Sequence, residues 1–148
     1  MEIKIYIDGA CIGNPGPGGW AVIILFENEK KELFGGEKLT TNNRMELTAA
    51  IKALEYFSKE EKKRPSLKNL KIYTDSNYVK EGITVWINSW EKNNWKTADK
   101  KNVKNIDLWK RLKDLTKSNQ IEWNWIKGHS DNPMNDLADK LAKRATPI

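Results

Sequence analysis

The sequence is short of the residues that most often hold metals or form cross-links. Among 148 residues there is one cysteine, Cys11, and one histidine, His129. A lone cysteine excludes an internal disulfide and fits a reducing compartment. One cysteine and one histidine together also speak against a structural zinc site. No apolar run is long enough to span a bilayer. Met1-Glu2-Ile3-Lys4 does not read as a signal peptide, and a strand is expected to begin almost at once. The stretch from Gly13 to Gly19 reads as a turn-rich connector, and since no Gly-Lys-Ser/Thr follows it is not a phosphate-binding P-loop. Repeats, linkers and low-complexity tracts are also missing. The expectation is one domain over residues 1–148, cytoplasmic, not bound to a membrane, and monomeric.

What is present begins with charge. The net charge is +6, and it is concentrated. Between Lys92 and Lys113 there are eight basic residues against Asp99 and Asp107, an excess equal to that of the whole chain. A clustered basic patch points to a polyanionic partner, the alternative being a solvated face of a lysine-rich protein.

Hydrophobic spacing then gives the elements. Ile3, Ile5 and Ile7 alternate with polar residues, predicting a first strand that ends at Asp8. Trp20 to Phe26 and Lys31 to Phe34 read as second and third strands around a turn at Asn28-Glu29, an antiparallel meander. Leu70, Ile72 and Thr74 predict a fourth strand ending at Asp75. A helix lies between, so the fourth strand can run parallel to the first, with Asp8 and Asp75 at neighbouring carboxyl ends. A charged connector, Lys59 to Lys68, precedes it. Ser76 to Gly82 reads as a short helix, and Leu108, Trp109, Leu112 and Leu115 as another. Ile121 to Ile126 predicts a fifth strand. A loop from Gly128 to Asn132 leads to a last helix opened by Pro133, with Leu137, Ala138, Leu141 and Ala145 inward.

The stretch from Thr40 to Leu54 organises the rest. Asn43 is the expected helix cap, with Glu46 as its capping-box acid. Leu47, Ile51, Leu54 and Phe57 form a buried stripe, and Ala49, Ala50 and Ala53 allow close packing. On this reading alone Glu46 does no more than cap a helix. Asp8, Asp75 and Asp139, however, also sit at strand ends or beside an apolar helix face. Carboxylates brought together repel and protonate unless a cation binds, and hard oxygen ligands suit magnesium or manganese. Two such ions can drive phosphodiester hydrolysis. Cyclising attack by a 2′-hydroxyl, which commonly uses a histidine pair, is disfavoured by the single histidine. His129 precedes the Asp139 helix and is expected to play an accessory part, shuttling a proton or loosening a metal from product. Trp20, Trp109, Trp123 and Trp125 are expected in the core. Trp86, Trp90 and Trp95 surround the basic insertion, where core packing and contact with a sugar ring are both open.

Six stretches in order then carry a resemblance: Ile7 to Cys11, Gly13 to Gly19, Thr41 to Leu47, Thr74 to Val79, Trp95 to Asp99 and Trp125 to His129. Over nearly its whole length the chain resembles the type 1 ribonuclease H family of the bacterial kind. The resemblance implies an α/β fold, a five-stranded mixed sheet (three antiparallel strands, then two parallel) with helices on both faces. It implies endonucleolytic cleavage of the RNA strand of an RNA–DNA hybrid by two-metal-ion catalysis, leaving 3′-hydroxyl and 5′-phosphate ends. The cofactor implied is Mg2+, with Mn2+ as a substitute, two ions per site with substrate. The family's metal ligands fall on Asp8, Glu46, Asp75 and Asp139, and its loop histidine on His129. Hybrid contacts fall on Cys11, Asn14, Asn42, Asn43 and Asn77, and positions similar to a DNA-phosphate grip on Thr41 and Asn105. A basic protrusion falls at about 86–104, with Trp86 and Trp90 in the DNA-strand channel. Glu91 stands where relatives often carry a base, and Asp136 where a glutamate is common. Rival readings are a non-catalytic hybrid-binding module, an integrase-like nuclease of the same superfold, and a domain excised from a reverse transcriptase.

Overall fold

The computed structural model describes residues 2–61, 69–117, 120–127 and 132–147. Its centre is β1 (Glu2–Cys11), whose Ile3, Ile5 and Ile7 are fully buried. On one side β1 pairs antiparallel with β2 (Gly16–Phe26), which pairs antiparallel with β3 (Glu29–Thr40). On the other side it pairs parallel with β4 (Asn69–Thr74), itself parallel to β5 (Gln120–Trp125). The order β3-β2-β1-β4-β5 is the expected mixed sheet.

The ends of the strands differ from the expected ones, and the difference builds the site. Pairing of β1 with β4 stops at Ile7 and Thr74, whereas pairing with β2 continues to Cys11 and Gly18. Asp8 therefore stands where the central strand loses its parallel neighbour, not at the end of the strand. The opening of β2, Gly16 to Gly19, reads as a turn because glycine carries no strand preference. It is a strand under the last helix: a Cβ on Gly19 would lie 2.1 Å from the Ala142 carbonyl oxygen.

Helices cover both faces. The long α1 (Asn42–Glu61) and α4 (Ile106–Thr116) close over Ile3, Ile5, Ile7, Val22 and Ile24. All of Leu47, Ala49, Ala50, Ile51, Ala53, Leu54 and Phe57 are buried in that layer. On the opposite face α5 (Pro133–Ala145) packs Ala138, Leu141 and Ala142 on Tyr6, Ala21 and Ile23. The buried alanine at its end is Ala142, with Ala145 and Leu137 only half-buried. Between β4 and α4 come α2 (Asn77–Glu81), one π-helical turn (Gly82–Trp86) and α3 (Ile87–Lys92). The charged connector from residue 62 onward lies outside the described residues.

The entry of α1 rests directly on β1. A Cβ on Gly9 would lie 2.6 Å from the Glu46 backbone nitrogen and 2.7 Å from the Met45 carbonyl carbon. Those are main-chain atoms of a packed helix, which cannot swing aside as a side-chain tip can. Gly9→Ala is expected to destabilise the protein by about 1–3 kcal/mol, the range for overpacking. Urea denaturation of the variant against the parent measures it, and an unchanged midpoint would contradict this close approach.

Candidate active site

The cap of α1 decides what Glu46 is free to do. The Thr41 hydroxyl accepts from the Arg44 N–H (3.2 Å), and Asn14 Oδ1 accepts from the Asn42 N–H (2.7 Å). Thr41 is thus the cap, and the expected box between Asn43 and Glu46 is not formed. Counted from Thr41, the third helical position belongs to Arg44, and Glu46 lies in the second turn. Its carboxylate is directed inward, 3 % exposed, and its Oε2 has no hydrogen-bond partner among the described residues. A capping function does not account for that orphaned, buried oxygen.

The other acids meet it there. Oxygens of Asp8, Glu46 and Asp75 lie within 4.8 Å of one another, Asp8 and Glu46 buried and Asp75 half-buried. Asp8 Oδ1 accepts the Gly9 N–H at 2.9 Å. Burial pushes the Asp8 carboxyl up to about 7; the charges of Asp75 and Asp139 push the same way, and bonds to Glu46 and Gly9 only partly offset them. Burial also raises Glu46 well above the usual carboxylate range, and the charge of Asp8 adds to it. Asp139 lines the same cavity of about 430 Å³ but stands outside the close trio, its Oδ2 held 2.9 Å from Lys143 Nζ one turn along α5. The structure brings three of the four expected acids into ligand distance and sets the fourth at the rim.

The donors suit a hard divalent cation: all oxygen, up to three negative charges, and one buried oxygen that no group among the described residues satisfies. Such a cation would relieve the repulsion that otherwise holds protons on Asp8 and Glu46.

The expected contact residues divide. Asn42, Asn43 and Asn77 line the acid cavity, as do Ser76 and Tyr78. Asn14 and Thr41 stand at the α1 entry, and the Cys11 thiol points at the Thr40 and Gly16 carbonyls, 3.4 and 3.6 Å away. Asn105 caps α4 from a left-handed backbone position (φ 60°). Its Oδ1 accepts from Arg44 and its amide donates to the Tyr78 hydroxyl. Arg44 and Tyr78 were not singled out for roles by sequence. Arg44 also grips Asp107 with both nitrogens, at 3.0 and 2.8 Å, and its signal was only a base at a helix entry. In the basic arm Trp86 is exposed, while Trp90 is half-buried among Trp86, Trp95 and Trp109. Glu91 pairs with Lys113 at 3.4 Å, and Asp136 is exposed in the first turn of α5. Trp109 is fully buried, and Trp20 and Trp123 pack against the core. Trp125, expected in the core, is 46 % exposed, and its indole N–H donates to the Asp75 carbonyl. His129 lies outside the described residues.

Carboxyls whose folded values are raised hold protons that the unfolded chain has already released. Metal-free protein is therefore expected to lose stability as pH rises from about 4 toward 7, by about 1.4 kcal/mol per pH unit for each such proton. The part of the fall due to Asp8 should flatten above about 7, and Glu46→Gln should weaken the whole. Thermal unfolding against pH in chelator checks this; a stability that rises over the same window would contradict the buried cluster.

The fold and site have counterparts among known proteins. The RNase H family profile matches residues 1–146. A "Ribonuclease H" of Parvibaculum lavamentivorans is 54% identical over 142 residues, covering 96% of this chain and 90% of that protein. Another, from Dechloromonas aromatica, is 56% identical over 142 residues, 96% of this chain and 91% of that one. Among solved structures LC9-RNase H1, described as "a type 1 RNase H with the type 2 active-site motif", superposes with a TM-score of 0.85 at 27% identity, covering 98% of this chain and 72% of its own. With the sheet order, the buried acids and these matches in hand, the chain belongs to the ribonuclease H family.

Proposed function

We propose that the chain is an endonuclease that hydrolyses the RNA strand of RNA–DNA hybrids with divalent metal ions held by Asp8, Glu46, Asp75 and Asp139. The observation that carries this is the buried trio of carboxylates with its orphaned Glu46 oxygen, in a member of the ribonuclease H family. Mg2+ is the proposed physiological ion, with Mn2+ able to replace it, as two ions per site once substrate is bound. Bound there, a pair of ions supplies an activated water and neutralises the departing oxygen. Water adds to phosphorus, the bond from phosphorus to the 3′ oxygen breaks, and the products carry a 3′-hydroxyl and a 5′-phosphate.

The chain's own residues set the stage for that step. Asp8 and Glu46 are fixed by β1 and α1, so the acid cluster does not have to assemble when substrate arrives. Asp139 joins from the rim by leaving Lys143, an exchange made cheap by the exposure of that ion pair. His129 is assigned the accessory proton transfer. Asn42, Asn43 and Asn77 offer amide donors and acceptors beside the acids, suited to RNA 2′-hydroxyls and base edges. Cys11 and Asn14 extend that wall, and Thr41 and Asn105 are proposed to hold a DNA phosphate.

The DNA strand is assigned to the arm at about 86–104, where Trp86 and Trp90 present aromatic surface among lysines. Binding through phosphates makes affinity fall with salt. No helix among the described residues is long and apolar enough to cross a membrane. A cytoplasmic monomer with a single catalytic domain over 1–148 is the proposed form.

Cleavage of an end-labelled RNA–DNA hybrid, with magnesium and then with chelator, tests the proposal. RNA-strand cleavage is expected only with metal. Asp8→Asn should bind hybrid yet cut it more than about 100-fold slower, beyond the loss usual for an outer-shell partner. Hybrid binding without cleavage in either metal would favour a binding module, and cleavage of duplex DNA an integrase-like nuclease.

A further inference from the structure

Asp75 is the member of the acid trio that no helix or strand holds. β4 ends at Thr74 and α2 begins at Asn77, so Asp75 belongs to the link between them. Asp8 and Glu46, by contrast, lie inside β1 and α1. The Asp75 carboxylate oxygen lies within 4.8 Å of theirs, where desolvation and any charge left on them disfavour it, and a slack link would let it swing away.

The link is fastened at successive points. The Thr74 carbonyl accepts from the Ile126 N–H at 2.8 Å, which carries the sheet pairing one step past the strands. The fully buried Thr74 hydroxyl accepts from the Ser76 N–H at 3.0 Å. Ser76 in turn caps α2 by accepting from the Val79 N–H at 3.2 Å. Between these, the Asp75 carbonyl accepts from the indole Nε1–H of Trp125 at 3.3 Å. Trp125 sits opposite Thr74 in the β4–β5 register, so its side chain takes over where the backbone ladder stops. Apolar burial gives a weak reason for a tryptophan at this place, since 46 % of it meets solvent while Trp109 is fully enclosed. The N–H is the feature in use.

We propose that Trp125 is a positioning residue for the metal-binding carboxylate of Asp75, acting through the Asp75 main chain. The proposal rests on the reading of the acid trio as a metal site. Loss of the N–H leaves the fold and the other fastenings of the link intact but removes the bond to the Asp75 carbonyl itself, so the acids accommodate an ion less well. Partners of metal ligands typically change metal affinity by about 10–100-fold. Trp125 acts one step further back, so a loss near the lower bound, about tenfold, is expected.

The test is calorimetric titration of the free protein with manganese chloride, comparing the parent with Trp125→Phe, which keeps a ring and removes the donor. Hybrid affinity in chelator and the metal-free unfolding temperature are measured alongside. The expected result is about tenfold weaker manganese binding in Trp125→Phe, with hybrid affinity and unfolding temperature unchanged. Should Trp125→Phe fold poorly, Trp125→Leu gives the same comparison, again with an apolar side chain and no donor. Equal manganese affinity in variant and parent would overturn the role of Trp125 alone. A loss accompanied by an equal loss of hybrid binding and a lowered unfolding temperature would make Trp125 structural and overturn it too. A parent protein that binds no manganese would overturn the metal-site reading beneath it.

Discussion

Everything distinctive in this protein follows from pressing two carboxylates together at a junction of strand and helix. Asp8 on β1 and Glu46 on α1 are each 3 % exposed. They can approach because residue 9 is glycine, which lets the helix entry lie on the strand. Burial then drives both toward the protonated forms; the charge of Asp8 adds to it at Glu46 and those of Asp75 and Asp139 at Asp8, where the bond to Glu46 offsets it in part. Without a cation the site holds protons near neutral pH, and with one it releases them. The surrounding fold supplies the rigidity that such an arrangement needs. Buried isoleucines fix β1, a close-packed alanine face fixes α1, and a cap drawn from Thr41 and the distant Asn14 fixes the first turn of the helix.

The surface charge solves a second problem. An acidic cleft repels a polyanion, and phosphates would not enter it unaided. The excess of lysine and arginine in the arm and α4 attracts them at longer range, and ions in the cleft would neutralise it locally. Part of that basic charge is already paired within the protein, Lys113 with Glu91 and Arg111 with Glu55. Both pairs are at least partly exposed, so a phosphate can compete for the bases at small cost.

Much of this was legible in the sequence, for identifiable reasons. Alternation of isoleucines located β1, and the helix between two strands allowed a parallel neighbour, which would set Asp8 next to Asp75, as the β1–β4 pairing does. The cap was misread because Thr40, Thr41, Asn42 and Asn43 are all acceptable caps; the choice is made by contacts such as the bond from the Asn42 N–H to Asn14, 28 residues away in sequence. Glycines at the start of β2 read as a turn, since only packing by α5 reveals them as strand. Trp125 was assigned to the core because alternation shows which face a residue takes, not whether a helix covers that end of the strand. Asp139 lines the same cavity as the other three acids, and what spacing alone does not reveal is that Lys143, one turn away, pairs with it there.

The most direct test of the central claim is diffraction from crystals grown with manganese, using its anomalous signal to locate ions. The account predicts a manganese peak in contact with oxygens of Asp8, Glu46 and Asp75, with the Glu46 oxygen that now lacks a partner among its ligands. An acid trio without manganese, at a concentration where the protein cleaves hybrid, would contradict it.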